Sequence, residues 1–181
     1  MTVSAAPPPP TVSIVMGVSG VGKTTLGEAL AKRLGWPFQE GDALHPATNV
    51  AKMKAGQPLD DADRGPWLDR IKAWIDGQLA QGQPGVITCS ALKRAYRDRL
   101  RAGRGSVAIV FIAADFDLIA GRLKTRSGHF MPPSLLASQF AALEPPEQDE
   151  HPIVVSAAQE LEAQIERIER ALVDIADEPA P

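Results

Sequence analysis

Residues 12–24, which read VSIVMGVSGVGKT, decide the fold of this chain. The short apolar run from Val12 to Met16 has no helical period, which predicts a strand covered by helices on both faces. After the glycine-rich turn, leucines recur every fourth residue up to Leu34, and Gly35 ends the pattern, which predicts a helix that begins at residue 24. A strand, a glycine-rich turn and a helix therefore follow one another directly.

The turn itself has the order Gly, four residues, Gly, Lys and Thr. In this order backbone N–H groups hold phosphate oxygens, and the start of the next helix adds a positive potential. Lys23 is predicted to contact the β- and γ-phosphates of ATP, and the Thr24 hydroxyl to bind Mg²⁺. The chain contains no Asn-Lys-x-Asp segment, which weighs against a GTPase. The predicted nucleotide contacts are Gly17, Val18, Ser19, Gly20, Val21, Gly22, Lys23, Thr24 and Thr25.

Further strands and helices alternate along the rest of the chain. Alternation of this kind predicts an α/β fold of three layers, a P-loop NTPase fold with a five-stranded parallel sheet between helices. We expect one domain over 12–176, a flexible proline-rich segment at 1–11 and a flexible tail at 177–181. The predicted further strands cover 36–40, 86–89, 107–112 and 153–155, and the predicted further helices cover 47–55, 63–79, 91–101, 116–124 and 158–175.

Composition narrows the class of partner. The 181 residues include 19 basic and 22 acidic ones, and no long basic run occurs, so we expect a small-molecule partner and no nucleic acid. No apolar run reaches the roughly 20 residues of a membrane span. Cys89 is the single cysteine and reads as a small core residue, which agrees with a cytoplasmic protein.

Candidate acceptor-binding residues follow the second predicted strand. Asp42 lies where open α/β sheets keep their ligand crevice, so it can orient or deprotonate an acceptor hydroxyl, or it can simply form a turn beside Gly41. His45 can hydrogen-bond the acceptor, although a lone loop histidine is more often solvated. Arg64 can hold a carboxylate by two parallel hydrogen bonds, and neighbouring Asp63 is a candidate helix N-cap.

Two basic segments leave alternatives open. Ser90, Lys93 and Arg97 share the opening turns of a predicted helix and form either an anion pocket, or a helix cap with solvated basic residues. The segment 122–133 reads RLKTRSGHFMPP, and we predict that it is a lid. Arg122 and Arg126 would then neutralise charge over the nucleotide, unless they only cap the preceding helix.

Taken together, these segments resemble the gluconokinases, which are ATP-dependent kinases of D-gluconate within the small P-loop kinases that include shikimate and adenylate kinases. The similarity covers about residues 12–175 and depends on the phosphate loop and on three segments: GDALHPATNVAKMKAGQPLDDADRGPWL (41–68), CSALKRAYRDRLR (89–101) and RLKTRSGHFMPPSLLASQFAALEPP (122–146). It implies a nucleoside-monophosphate-kinase-like fold with a lid, phosphorylation of the 6-hydroxyl of gluconate, and a homodimer.

The same resemblance implies roles for individual residues. It makes Asp42 the catalytic carboxylate, assigns His45, Arg64, Lys93 and His129 to the acceptor, and implies that both arginines belong to the lid. Two positions depart from the family pattern. Glu40 stands where many relatives have Asp, and Ser90 stands where a Walker B Asp would end the strand. The rival interpretations are a kinase of another small acid, and a nucleotide-binding regulatory protein.

Overall fold

The computed structural model describes residues 11–125 and 133–177. Within those ranges no helix is long and apolar enough to cross a membrane. The strands are β1 (Val12–Met16), β2 (Phe38–Gln39), β3 (Gly85–Thr88), β4 (Val107–Ala113) and β5 (Ile153–Ser156). The α-helices are α1 (Lys23–Leu34), α2 (Ala47–Lys54), α3 (Asp61–Ala80), α4 (Arg94–Arg101), α5 (Phe116–Thr125), α6 (Pro133–Ala142) and α7 (Leu161–Asp177), and the 3₁₀ turns are Gly41–Leu44 and Gln148–Glu150.

The five strands form one parallel sheet in the order β2-β3-β1-β4-β5, which confirms the predicted sheet. The central strand β1 is wholly buried, with Val15 paired to Thr88 of β3 on one side and to Val110 of β4 on the other. Because all strands run the same way, their carboxyl ends meet at one edge. The loops after β1, β2 and β3 therefore lie side by side at that edge.

Helices cover both faces of the sheet. Val15 points to the face packed by Leu26 of α1 and Ile168 of α7, and Ile14 points to the face packed by Ile71 and other residues of α3. Each of these side chains is at most 1% exposed, and burying one contributes about 1.5–3 kcal/mol. The alternation of β1 side chains between two helical layers produces the predicted three-layer architecture.

The start of α3 differs from the prediction. Asp60, not Asp63, is its N-cap: the Asp60 carboxylate accepts from the Asp63 backbone N–H at 2.8 Å. The Asp63 carboxylate accepts from the Asp60 N–H at 3.1 Å in return. Two acidic side chains three residues apart can exchange these bonds, so the helix begins two residues earlier than the apolar stripe indicated. Pro66 consequently lies in its second turn.

Two other elements were not predicted correctly. Helix α4 begins at Arg94 rather than at residue 91, because Ala91 has a left-handed φ of 43° and Lys93 is extended. Helix α6 was not predicted, since its apolar residues surround the helix instead of forming one clear stripe. The predicted proline-rich segment, most of the predicted lid and the end of the tail fall in 1–10, 126–132 and 178–181, outside the described residues.

Candidate active site

The phosphate loop lies between β1 and α1, as the sequence predicted. Gly17 and Gly22 have φ values of 148° and 102°, which side chains rarely adopt, and a Cβ at Gly17 would lie 3.0 Å from the Ile112 carbonyl oxygen. Helix α1 begins at Lys23, so its free N–H groups face the loop. The loop and the helix start together form an anion-binding cradle.

Lys23 connects this cradle to the acceptor side. Its Nζ donates to the Val18 carbonyl oxygen at 3.1 Å, within the same loop. Burial lowers the pKa of Lys23, whereas the negative charges of Asp42 and Glu40 act to raise it. The loop lysine and both carboxylates are therefore close enough to interact electrostatically at one end of the sheet.

Glu40 joins the cradle to β3 through two hydroxyl groups. Thr24 Oγ1 donates to Glu40 Oε2 at 2.5 Å, and Thr88 Oγ1 donates to Glu40 Oε1. The Asp42 backbone N–H also donates to Glu40 Oε1, at 3.3 Å. From the sequence, Glu40 stood out as a departure from the family pattern that bears on metal contact, whereas Thr88 was overlooked. The position of Glu40, at the end of a predicted strand, was the available signal.

Thr24 and Glu40 suit a magnesium ion. A hydroxyl and a carboxylate are hard oxygen ligands, and Mg²⁺ at kinase sites takes few protein ligands, with phosphate oxygens and waters completing the shell. In the described parts of the chain, no group of three or more His, Cys, Asp or Glu side chains is arranged to hold a metal. The pair therefore fits an ion that arrives with the nucleotide.

The Gly41–Leu44 turn packs tightly against the end of β3. A Cβ at Gly41 would lie 1.8 Å from the Thr88 carbonyl oxygen, so glycine is required there. The Gly41 N–H donates to Thr88 Oγ1 at 2.9 Å, and the Trp67 indole N–H donates to the Gly41 carbonyl oxygen at 2.8 Å. These contacts hold the backbone beside Asp42, whose side chain is 69% exposed. Asp42 therefore does lie in a turn beside Gly41, but among the described residues its carboxylate accepts no hydrogen bond from that turn.

His45 is buried, which corrects the expectation of a solvated loop histidine. Its ring stacks on Trp67 with centroids 4.2 Å apart. Asn49 Nδ2 lies 3.2 Å from His45 Nδ1 and donates to the Asp63 carbonyl oxygen at 2.8 Å. Because a carbonyl oxygen only accepts, Nδ2 is the amino end of Asn49 and its second N–H is available to donate to Nδ1.

The proton of neutral His45 then lies on Nε2, which is 3.9 Å from Asp42 Oδ1. Burial lowers the pKa of His45, the Asp42 charge acts to raise it, and the Arg64 charge acts to lower it. The neutral ring therefore presents an N–H group to the acceptor-side carboxylate.

A cleft of about 270 Å³ lies beside this turn. Lys93 Nζ donates to Asp61 Oδ1 at 2.8 Å, Tyr96 Oη donates to the same oxygen, and the hydrogen bond from Lys93 holds the pKa of Asp61 below its ordinary value. Arg64 lies 6.0 Å from the Tyr96 ring and makes no ion pair with any described residue. Of the two described cations that line the cleft, Lys93 is therefore already paired and Arg64 is available to a ligand. It is lined by Leu59, Asp60, Asp61, Arg64, Leu92, Lys93, Tyr96 and Ala142.

The predicted trio of Ser90, Lys93 and Arg97 does not form one pocket. Arg97 is 1% exposed, and its guanidinium makes two hydrogen bonds to the Glu150 carboxylate, at 2.6 and 2.8 Å. It also donates to the Ala91 carbonyl oxygen at 3.0 Å. Because the helix starts late, Ser90 caps nothing, and only Lys93 of the three reaches the cleft.

A second cleft, of about 340 Å³, opens beside the phosphate loop. Arg122 Nη2 donates to the Ala157 carbonyl oxygen at 2.6 Å, so its hydrogen bond goes to the loop after β5 rather than to the end of its own helix. No pattern in the sequence marked that loop. Arg126 and His129 lie outside the described residues. The cleft is lined by Gly20, Val21, Gly22, Thr25, Arg122, Leu123, Thr125, Ala157, Gln159, Leu161 and Gln164.

Comparisons with known proteins agree with this arrangement. A family model described as an AAA domain matches residues 12–146. The chain is 52% identical to a gluconokinase of Gluconobacter oxydans over 161 residues, which are 89% of this chain and 90% of that protein. It is 48% identical to the thermosensitive gluconokinase of Escherichia coli over 141 residues, which are 78% of this chain and 75% of that protein.

A solved structure also shares the fold. The crystal structure of a gluconokinase from Sinorhizobium meliloti superposes with a TM-score of 0.82 at 45% sequence identity. The match covers 93% of this chain and 94% of that one. The similarity therefore extends over nearly the whole length of both chains.

Proposed function

This chain belongs to the gluconokinase family, and we propose that it transfers the γ-phosphoryl group of ATP to the 6-hydroxyl of D-gluconate, giving 6-phospho-D-gluconate and ADP. It is a P-loop kinase. The observation that carries the assignment is that the phosphate loop with Lys23 and the turn with Asp42 lie at the same edge of the sheet, where the Asp42 charge acts to raise the pKa of Lys23. A phosphate-binding lysine and an acceptor-side carboxylate at one edge are the two groups that phosphoryl transfer needs.

On the nucleotide side, the loop of residues 17–25 holds the phosphates through backbone N–H groups. Lys23 leaves the Val18 carbonyl oxygen and contacts the β- and γ-phosphates. Thr24 and Glu40 would hold Mg²⁺, which would supply positive charge to neutralise the phosphate oxygens. The cleft beside Arg122 takes the nucleoside.

On the acceptor side, the oxygen of the 6-hydroxyl attacks the γ-phosphorus of ATP while Asp42 takes the hydroxyl proton. The bond between the γ-phosphorus and the departing ADP breaks in the same step. His45 Nε2–H steadies the Asp42 carboxylate or hydrogen-bonds the acceptor. Arg64 holds the carboxylate of gluconate, because a guanidinium matches a carboxylate by two parallel bonds. Lys93 adds a second cation at the same cleft, and His129 contributes a further contact to the acceptor.

The segment 122–133 closes as a lid. Arg122 and Arg126 then bring positive charge over the transferring group, a contribution worth about 10³ to 10⁵ in rate where arginine fingers act. The family resemblance further supports a homodimer and a cytoplasmic location, with one kinase domain over 12–176. Sedimentation of the purified chain tests the dimer.

An acceptor screen tests the substrate. ADP release is followed with gluconate, shikimate, glycerate and AMP as acceptors, each with ATP and Mg²⁺. We expect turnover with gluconate to exceed that with the others. Strong turnover on another acceptor with none on gluconate would make this a kinase of a different small acid, and no transfer at all would favour a nucleotide-binding regulator.

A further inference from the structure

Thr88 is a buried hydroxyl group at the edge of the sheet where the reaction takes place. It ends β3, whose other residues are Gly85, Val86 and Ile87, and it is 1% exposed. A buried hydroxyl group must find its hydrogen-bond partners within the protein. Leaving it without a partner destabilises the fold by more than a formed hydrogen bond stabilises it. Its partners therefore indicate what the residue holds in place.

Those partners leave one assignment for the hydroxyl proton. Thr88 Oγ1 accepts from the Gly41 N–H at 2.9 Å. A carboxylate only accepts, so the one Thr88 proton goes to Glu40 Oε1. The other Glu40 oxygen accepts the hydroxyl proton of Thr24 at 2.5 Å. Glu40 therefore lies between two hydroxyl donors, one on β3 and one in the first turn of α1.

The arrangement affects Thr24 as well. With its proton donated to Glu40, the Thr24 oxygen keeps its lone pairs for a cation. A glutamate has one more rotatable bond than an aspartate, so a carboxylate at position 40 needs a second anchor to stay in one orientation. The Thr88 hydroxyl supplies that anchor, together with a longer bond of 3.3 Å from the Asp42 backbone N–H to the same carboxylate oxygen.

We propose that Thr88 is a positioning residue for the magnesium-bound nucleotide, which aims the Glu40 carboxylate at Thr24 from the end of β3. The proposal rests on the proposed kinase function, because it assumes that the chain binds a nucleotide together with Mg²⁺. It does not depend on which acceptor is used. Residues that orient metal ligands typically change metal affinity or activity roughly 10- to 100-fold when they are removed.

Nucleotide binding separates this role from a merely structural one. The non-hydrolysable analogue AMPPNP is titrated by calorimetry into wild type, Thr88→Val and Thr88→Ser, once with excess Mg²⁺ and once with EDTA. Valine keeps the shape of threonine without the hydroxyl, and serine keeps the hydroxyl. We expect Thr88→Val to weaken binding about 10-fold or more with Mg²⁺ and less than about 2-fold with EDTA. Thr88→Ser should stay within about 2-fold of wild type in both.

A double-mutant cycle identifies Glu40 as the intermediary. If Thr88 acts through Glu40, the Mg²⁺-specific loss should largely disappear when Thr88→Val is made in a Glu40→Gln background. Equal and additive losses in both backgrounds would overturn the proposal. Thr88→Ala replaces Thr88→Val if the valine variant does not fold.

The outcomes are distinguishable from those of the acceptor screen. Unchanged binding of AMPPNP with Mg²⁺ in Thr88→Val, or an equal loss with EDTA, would overturn the role of Thr88 even if gluconate is the acceptor. Failure to phosphorylate gluconate, with the Mg²⁺-specific loss present, would overturn the substrate and leave Thr88 in its role.

Discussion

Asp42 and His45 lie three residues apart on one turn, yet they are placed in opposite environments. The Asp42 side chain is 69% exposed at the edge of the sheet, whereas His45 is buried against Trp67. The tight contact of Gly41 with Thr88 separates them, because it fixes the direction in which the turn leaves the sheet. One short segment thus supplies both an accessible carboxylate and its buried neighbour.

Replacing Asp42 by Asn should abolish most turnover. The amide cannot take the proton of the acceptor hydroxyl, a contribution worth about 10² to 10⁴ in rate. Affinity for AMPPNP with Mg²⁺, measured by calorimetry, should change little because the phosphate loop is untouched. Asp117→Asn, an exposed change on α5, serves as the matched control. A wild-type rate in Asp42→Asn would refute the role of this carboxylate.

Replacing Arg64 by Ala should raise KM for gluconate. Its guanidinium has no ion-pair partner among the described residues and is free to bind a carboxylate. Charged hydrogen bonds of this kind contribute about 1.5–3 kcal/mol, which corresponds to roughly 10- to 150-fold in KM. Arg33→Ala, at ion pairs with Glu162 and Glu169 away from the site, should leave KM unchanged. An unaltered KM in Arg64→Ala would assign the carboxylate to another cation.

His45 should make stability depend on pH. Burial lowers its pKa in the folded chain below the ordinary 6.5, so the unfolded chain binds more protons as the pH falls. The free energy of unfolding is then fully present above pH 6.5 and decreases below it. His45→Phe keeps the stacking on Trp67 and cannot titrate. Denaturant unfolding at pH 7.5 and 5.5 should show a smaller decrease in the variant, and equal decreases would contradict the assignment.

Among the elements, α4 depends on a buried ion pair. Arg97 and Glu150 are 1% and 2% exposed, and the pair joins α4 to the Gln148–Glu150 turn. Arg97 also donates to the carbonyl oxygens of Ala91 and Leu92, the residues that lead to Lys93. The pair therefore fixes the path by which Lys93 reaches the acceptor cleft.

Glu150→Gln should destabilise the chain strongly. It leaves the Arg97 charge buried without a counter-ion, and breaking a buried pair costs about 3–5 kcal/mol. Asp149→Asn is the matched control, because its exposed pair with Arg94 contributes about 1 kcal/mol or less. Denaturant midpoints measure both changes. A similar small effect in the two variants would mean that the Arg97 site rearranges.

How far the elements could be predicted depended on their periodicity. The strands that helices cover and the helices with one apolar stripe, such as α1 and α7, were predicted close to their observed bounds. Helix α6 lacks a clear apolar stripe. The late start of α4 follows from the left-handed backbone of Ala91, which no sequence pattern predicts. Arg97 is buried because it pairs with Glu150, which lies 53 residues away in the sequence. Local sequence cannot reveal such a partner.

At the scale of the whole molecule, the order of the strands brings the site together. Glu40 follows β2, the phosphate loop follows β1, and Thr88 ends β3 between them. The sequence indicated a parallel sheet and the phosphate cradle, but it did not show that β3 lies between β1 and β2. For that reason the position of Asp42 at this edge could be predicted from its loop, whereas the contacts of Glu40 and Thr88 could not.

Nucleotide binding should stabilise the whole chain. At a ligand concentration 100 times Kd the folded state gains about 2.7 kcal/mol, and in a chain of this size each kcal/mol raises Tm by about 2–4 °C. ATP with Mg²⁺ should therefore raise Tm by roughly 5–11 °C in a thermal scan. Removal of Mg²⁺ with EDTA should reduce the rise. Lys23→Ala tests the source of the effect, since an unchanged rise in that variant would place the nucleotide elsewhere.

Cys89 makes the carboxyl edge of β3 suitable for chemical labelling. Its side chain is 1% exposed, and burial raises the pKa of the thiol to about 12, so alkylating reagents should react with it slowly in the folded chain. A cysteine introduced on the surface can then carry a fluorophore without removal of the native one. The rate at which Cys89 itself is modified would then report how often this end of the protein opens.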